Sequence, residues 1–246
     1  MNVAIFGATS AIAKFVARNY AATGANLYLY ARDAEKLDAL SNDLRIHGAS
    51  MTVCRVVDFA NREALLEIEK SLQAEAIAFD QALVAFGTLT AQDHAEADTG
   101  YLIDELTLNG LHVNALTALL ARQMIDNRSG HITVIGSVAG DRGRPSNYAY
   151  GSAKALVDTF CSGLSITAQK HGVSLLLIKP GFVDTPMTSD LDLPTPLVAS
   201  AEYVGGKIHS WAQRKESGVR YVPGYWRIIM LIIRLIPGFI FRRLDL

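Results

Sequence analysis

Short runs of apolar residues alternate with longer stretches of helical spacing along most of this chain, and that rhythm constrains its fold more than any other feature. Val3 to Phe6, Leu27 to Tyr30, Thr52 to Val56, Ala82 to Phe86, Ile132 to Ile135 and Val173 to Ile178 read as strands apolar on both faces. Between them Ala11 to Ala22, Ala34 to His47, Arg62 to Leu72 and Leu102 to Asp126 have the spacing of helices. A strand that is apolar on both faces needs cover on both sides, and a helix between successive strands supplies it. The pattern therefore predicts an α/β fold, a doubly wound parallel sheet of about seven strands with helices on both faces. The seventh strand is expected near Val219 to Val222. Right-handed crossovers in such a sheet place ligands beyond the carboxyl ends of the strands.

Length agrees with one domain over 1–246, because single α/β domains reach about 250 residues. The 23 basic residues are balanced by 24 acidic ones, so nothing in the charge points to a nucleic-acid partner. Cys54 and Cys161 lack metal-ligand spacing and read as free thiols in a reducing, cytoplasmic compartment, although two cysteines could form one disulfide. Strand-like sequence begins at Asn2, so no signal peptide is expected ahead of the fold.

The first strand runs into a turn of small residues, Gly7, Ala8, Thr9 and Ser10, which opens a helix at Ala11, Ile12 and Ala13. Backbone N–H groups at such a helix start can face a pyrophosphate, but a plain tight turn would look the same. The second strand ends at Ala31 and is followed by Arg32. An acidic residue there would bind the 2′-hydroxyl of NAD, whereas an arginine suits the 2′-phosphate of NADP(H). Arg32 at the start of a helix could also be simply solvated.

Tyr150 and Lys154 are four apart, which on a helix brings their Cβ atoms to about 5–6 Å. A neighbouring ammonium favours the phenolate and lowers a phenol pKa, making the tyrosine a usable acid or base. Ser137 ends the fifth strand, where its hydroxyl can meet a carbonyl oxygen. A Tyr-x-x-x-Lys spacing occurs by chance in many helices. The same spacing together with a strand-end serine and a phosphate-type turn, in this order, does not.

On these residues the chain resembles the short-chain dehydrogenases/reductases, Rossmann-like oxidoreductases, from about residue 2 to residue 225. Tyr150 and Lys154 match the family's Tyr-x-x-x-Lys, and Ser137 its upstream serine. Asn109 falls where the family places a fourth catalytic residue, which would hold a water that relays protons to Lys154. Pro180, Gly181, Val183 and Thr185 match the Pro-Gly-x-x-x-Thr segment that holds the nicotinamide carboxamide, and Asp58, followed by Phe59, matches the residue that meets the adenine amino group. Gly7, Thr9, Ser10, Ala11, Ile12, Ala85, Phe86 and Gly87 complete the cofactor-binding set. The resemblance implies that Ser137 polarises a carbonyl, Tyr150 donates a proton, and Lys154 holds the ribose and lowers the Tyr150 pKa. It also implies a homodimer or homotetramer built on Leu102 to Asp126 and Tyr148 to Lys170. The turn departs from the family's Thr-Gly-x-x-x-Gly-x-Gly, with Phe6, Ala11 and Ala13 in place of a threonine and two glycines. Val84 to Gly87 likewise replaces Asn-Asn-Ala-Gly. The altered turn is what favours the competing reading, a catalytically silent NADP(H)-binding sensor or scaffold.

The tail, 225–246, carries Arg227 and Arg234 seven apart on an otherwise apolar helix, too short to span a bilayer. It suits a membrane interface, and equally a pocket cover or a subunit contact. The wording of Ala85 to Gly87, Gly136 to Arg142, Lys179 to Val183 and the tail is similar to the decaprenylphosphoryl-2-keto-ribose reductase branch. That likeness implies a keto-sugar or lipid-linked carbonyl substrate. Met187 to Pro196, with Thr188, Ser189, Asp190 and Asp192, is where a substrate lid is expected.

Overall fold

The computed structural model describes residues 1–75, 77–189 and 191–244; Asp190 of the expected lid and the last two residues of the tail lie outside the described residues. The elements in chain order are β1 (Asn2–Phe6), α1 (Ala11–Ala21), β2 (Asn26–Ala31), α2 (Ala34–Ile46), β3 (Met51–Val56), α3 (Arg62–Glu75) and β4 (Gln81–Val84). Then follow α4 (Gln92–Ala97), α5 (Thr99–Leu106), α6 (Val113–Asp126), β5 (Gly130–Ile135), α7 (Tyr148–Lys170) and β6 (Val173–Pro180). The chain continues with β7 (Phe182–Asp184), β8 (Val198–Ser200), α8 (Ala201–Gln213), β9 (Gly218–Val222), α9 (Trp226–Leu235) and α10 (Gly238–Phe241).

Seven strands form one parallel sheet in the order β3-β2-β1-β4-β5-β6-β9. The order reverses between β1 and β4, which opens a crevice at their carboxyl ends. One face of the sheet is covered by α1, α2 and α8 through Val16, Leu37, Val204 and Ile208. The other is covered by α3, α6 and α7 through Ile68, Leu116, Met124 and Val157. The doubly wound α/β architecture expected from the apolar rhythm is the one observed.

Two expectations need correction. The run Ala82 to Phe86 pairs only to Val84; Ala85 to Gly87 leave the sheet and turn along the crevice. The long helix expected over Leu102 to Asp126 is interrupted by a π-helical turn, Thr107–His112, centred on Asn109. Periodicity averages over such a turn, because one extra residue per turn barely disturbs an apolar stripe. Both cysteines are free thiols, Cys161 buried and Cys54 partly so.

Candidate active site

At Gly7 the backbone leaves β1 with φ +84°, and a Cβ there would lie 2.6 Å from Phe86 N, so the turn admits only glycine. Gly7 N and Ala8 N both donate to Tyr30 O, at 2.8 and 3.0 Å, tying the turn to the end of β2. Ser10 caps α1 by accepting from Ala13 N at 3.3 Å. Of the two alanines that stand for glycines, Ala13 is buried in the core and only Ala11 lines the cleft. At the end of β2, Asp33 is spent on capping α2, accepting from Lys36 N at 3.0 Å, and exposed Arg32 reaches the cleft.

Phe6, where the family motif has threonine, stacks on Tyr30 with ring centroids 4.3 Å apart. Phe59 and Phe86 stack face to face at 4.2 Å, so an aromatic wall stands where the Asn-Asn-Ala-Gly segment is absent.

Gly87, with φ +152°, lies where a Cβ would come within 2.6 Å of Asn109 Oδ1 and 3.7 Å of Lys154 Nζ. Asn109 is wholly buried by the π turn and accepts from Thr88 N at 2.9 Å. Its amide donates to Thr88 Oγ1 at 3.2 Å and to Glu105 Oε2 at 3.0 Å. Glu105 also accepts from the hydroxyls of Thr88 and Thr90. The side chain of Asn109 is therefore committed to shaping the loop after β4. Glu105 escaped the sequence reading, although it stands one helical turn before Asn109.

Ser137 follows β5, and its Oγ accepts from Ala139 N at 3.1 Å while the hydroxyl meets the Tyr150 phenol. Lys154 Nζ lies 5.4 Å from the centroid of the Tyr150 ring, over its face. Burial, opposed by the Ser137 hydrogen bond, pushes the Tyr150 phenol up to about 12. Burial dominates this shift and Ser137, not Lys154, is the group that opposes it, so the lowering expected from Lys154 is not seen. Burial also lowers Lys154 to about 8, against the pull of Asp158 one turn further along α7. Asp158, itself raised by burial to about 6, pairs with Lys179 at 2.5 Å; Lys179 also bonds Asp141, which accepts from Tyr221 OH at 2.8 Å. This buried cluster anchors the end of β6 just before Pro180.

Every residue of the expected catalytic and cofactor-binding sets lines one cleft of about 430 Å³, within the usual ~300–1,000 Å³ of ligand sites. Gly7, Thr9, Ser10, Ala11, Ile12, Arg32, Asp58, Phe59 and Ala85 to Gly87 stand along one part of it, with Pro180, Gly181, Val183 and Thr185 beside Asn109, Ser137, Tyr150 and Lys154. Met187, Thr188 and Leu191 of the expected lid also line it. Thr188 Oγ1 donates to Val183 O at 2.6 Å, fastening that loop to β7. Two polar residues the sequence reading passed over, Arg144 and Asn147, line the cleft from the loop before α7. No local pattern marks them.

The chain matches the family model for short chain dehydrogenases over residues 1–194. It belongs to the short-chain dehydrogenase family. Among relatives of this short-chain dehydrogenase is an uncharacterized oxidoreductase of Mycobacterium tuberculosis, 36% identical over 99% of this chain and 96% of the relative. Sulfoacetaldehyde reductase 2 of Chromohalobacter salexigens is 31% identical over 76% of this chain and 74% of its own length. A short-chain dehydrogenase from Sphingobium yanoikuyae, solved in complex with NADPH, superposes with a TM-score of 0.82 at 23% identity, covering 96% of both chains. The protein is thus a short-chain oxidoreductase, an enzyme.

Proposed function

We propose that the enzyme is an NADPH-dependent reductase of a carbonyl group, with Tyr150 as the general acid. The observation that carries this reading is the meeting of Ser137, Tyr150, Lys154 and Asn109 in one cleft, with the phenol held protonated by burial. A protonated phenol is the form that carbonyl reduction needs at the start.

The cleft fits a dinucleotide phosphate in two respects. Its first turn has no room for a side chain at Gly7, and Arg32 brings a cation without an ion-pair partner among the described residues. Gly7, Thr9, Ser10, Ala11 and Ile12 would hold the pyrophosphate, Arg32 the 2′-phosphate, and Asp58 with Phe59, Ala85, Phe86 and Gly87 the adenosine side. Pro180, Gly181, Val183 and Thr185 would hold the nicotinamide end. When bound, the cofactor supplies the hydride.

Ser137 Oγ accepts from Ala139 N, and its proton, directed at the Tyr150 phenol, turns to the carbonyl oxygen when substrate enters between them. Tyr150 gives its proton to the same oxygen, and the buried Lys154 then stabilises the phenolate. With its pKa near 8, Lys154 is charged at neutrality yet able to pass a proton on to Tyr150. Asn109 acts by fixing Thr88 and the backbone beside Lys154, since its side chain is already committed.

The name of the sulfoacetaldehyde reductase relative supports reduction of a carbonyl as the direction. Resemblance to the decaprenylphosphoryl-2-keto-ribose reductase branch supports a keto-sugar, free or lipid-linked. The proposal extends to a cytoplasmic homodimer or homotetramer whose α9 touches a membrane. Ile103, Leu111 and Ile166, exposed on α5, the π turn and α7, support the assembly. The silent-binder reading loses Ala13, which is buried in the core, and keeps Ala11, which lines the cleft.

Replacement Tyr150→Phe tests the mechanism. NADPH oxidation with a competent carbonyl substrate should fall at least about 10²-fold, the low end for a general acid, with NADPH affinity nearly intact. Undiminished turnover would end the reading.

A further inference from the structure

Arg144 lies on the loop between Ser137 and Tyr150 and lines the cleft, with its Nε buried and without a hydrogen-bond partner. Among the described residues no carboxylate pairs with it. Nearby acidic groups are already engaged. Asp141 and Asp158 hold Lys179, and Glu105 accepts from Thr88, Thr90 and Asn109. Asp58 is the one carboxylate among the described cleft residues, and it follows β3 whereas Arg144 follows β5. Four strand spacings separate those positions in the sheet, on the order of 19 Å. Arg32 and the first turn follow β2 and β1, so an anion held there stands well away from Arg144.

A cation taken out of water with no counter-charge costs stability, and proteins accept that cost chiefly where a ligand supplies the missing charge. Burial accordingly holds the Arg144 guanidinium below its usual pKa. Beside it Asn147 Oδ1 is also buried with no donor. The reacting carbonyl must sit against Ser137 and Tyr150, and the loop joining those residues covers the same end of the cleft.

We infer that Arg144 is an anion-recognition residue, and that the substrate is a carbonyl compound carrying an oxyanion group such as a phosphate ester, with a hydroxyl that reaches Asn147. This rests on the reductase reading for the placement of the carbonyl; the charge argument itself needs no turnover.

The test is calorimetric titration of phenyl phosphate into NADPH-saturated enzyme, where the cofactor occupies the Arg32 end. The wild-type protein should bind it, and Arg144→Gln should weaken binding about tenfold or more, the loss of a charge-assisted hydrogen bond. Because the variant removes an uncompensated charge, its melting temperature should equal or exceed the wild-type value. A melting temperature several degrees lower would make Arg144 structural and overturn the inference. So would absent binding by the wild type, unchanged affinity in Arg144→Gln, or a loss that appears only in Arg32→Ala. Farnesyl phosphate titrated in parallel separates the two sources of such an anion. Tighter Arg144-dependent binding than phenyl phosphate assigns a prenyl-linked group, and equal or weaker binding a soluble one. Failure of the Tyr150→Phe test would leave this titration readable, so the two readings fall separately.

Discussion

Arg32 and Arg144 are both arginines at the rim of one cleft, yet only one of them was legible as functional before the fold was known. Arg32 follows a strand end by one residue, a position whose meaning comes from chain order alone. Its neighbour Asp33 is held by α2 through Lys36 N, so the guanidinium is left to the cleft. We expect Arg32→Ala to weaken NADPH binding about tenfold or more while changing NADH affinity far less, as fluorescence titration of both cofactors would read. Equal losses would remove the 2′-phosphate from the argument. The alanines of the turn show the same contrast in reverse. Ala11 and Ala13 look alike in sequence, but the helix turns one toward the cleft and the other into the core under α8.

At the scale of elements, the π turn and α9 do what continuous helices would not. The wide turn at Thr107–His112 buries Asn109 against the loop after β4, where Gly87 leaves space for its Oδ1. Helix α9 is no detachable tail. Trp226, 3% exposed, and Met230, 1% exposed, pack on Val138, Phe182 and Tyr221. Arg142 Nη1 donates to Ile236 O at 2.7 Å and to Ile233 O, satisfying carbonyls at the end of α9, and its guanidinium lies 3.7 Å over the Phe241 ring. A Cβ at Gly181 would fall 1.8 Å from Trp226 Nε1. Gly181→Ala should therefore cost about 1–3 kcal/mol by overpacking and lower the melting temperature by several degrees. An unchanged melting curve would mean that α9 moves aside freely, and the Pro180–Gly181 segment would lose its cover.

Across the whole molecule, the outer side of α9 and α10 leaves Ile228, Leu231, Ile232, Leu235 and Phe239 more than half exposed, with Arg227, Arg234, Arg242 and Arg243 around them. No helix among the described residues is long and apolar enough to cross a membrane. An apolar face ringed by arginines suits an anionic lipid surface. Ile228→Asp combined with Leu235→Asp should abolish co-sedimentation with phosphatidylglycerol vesicles while leaving the melting temperature within a few degrees. Wild-type protein that stays in the supernatant would remove the membrane from the proposal. Truncation after Pro223 would not answer this, because it strips Trp226 from the core. The parallel sheet, the strand-end serine and the Tyr150–Lys154 pair were settled by the sequence itself, since periodicity and spacing are local properties that every turn of helix or strand repeats. The protonated state of Tyr150, the seat of α9 on Gly181 and the isolation of Arg144 were decided only in three dimensions. Each depends on which groups from distant segments are present around a side chain, or are missing there.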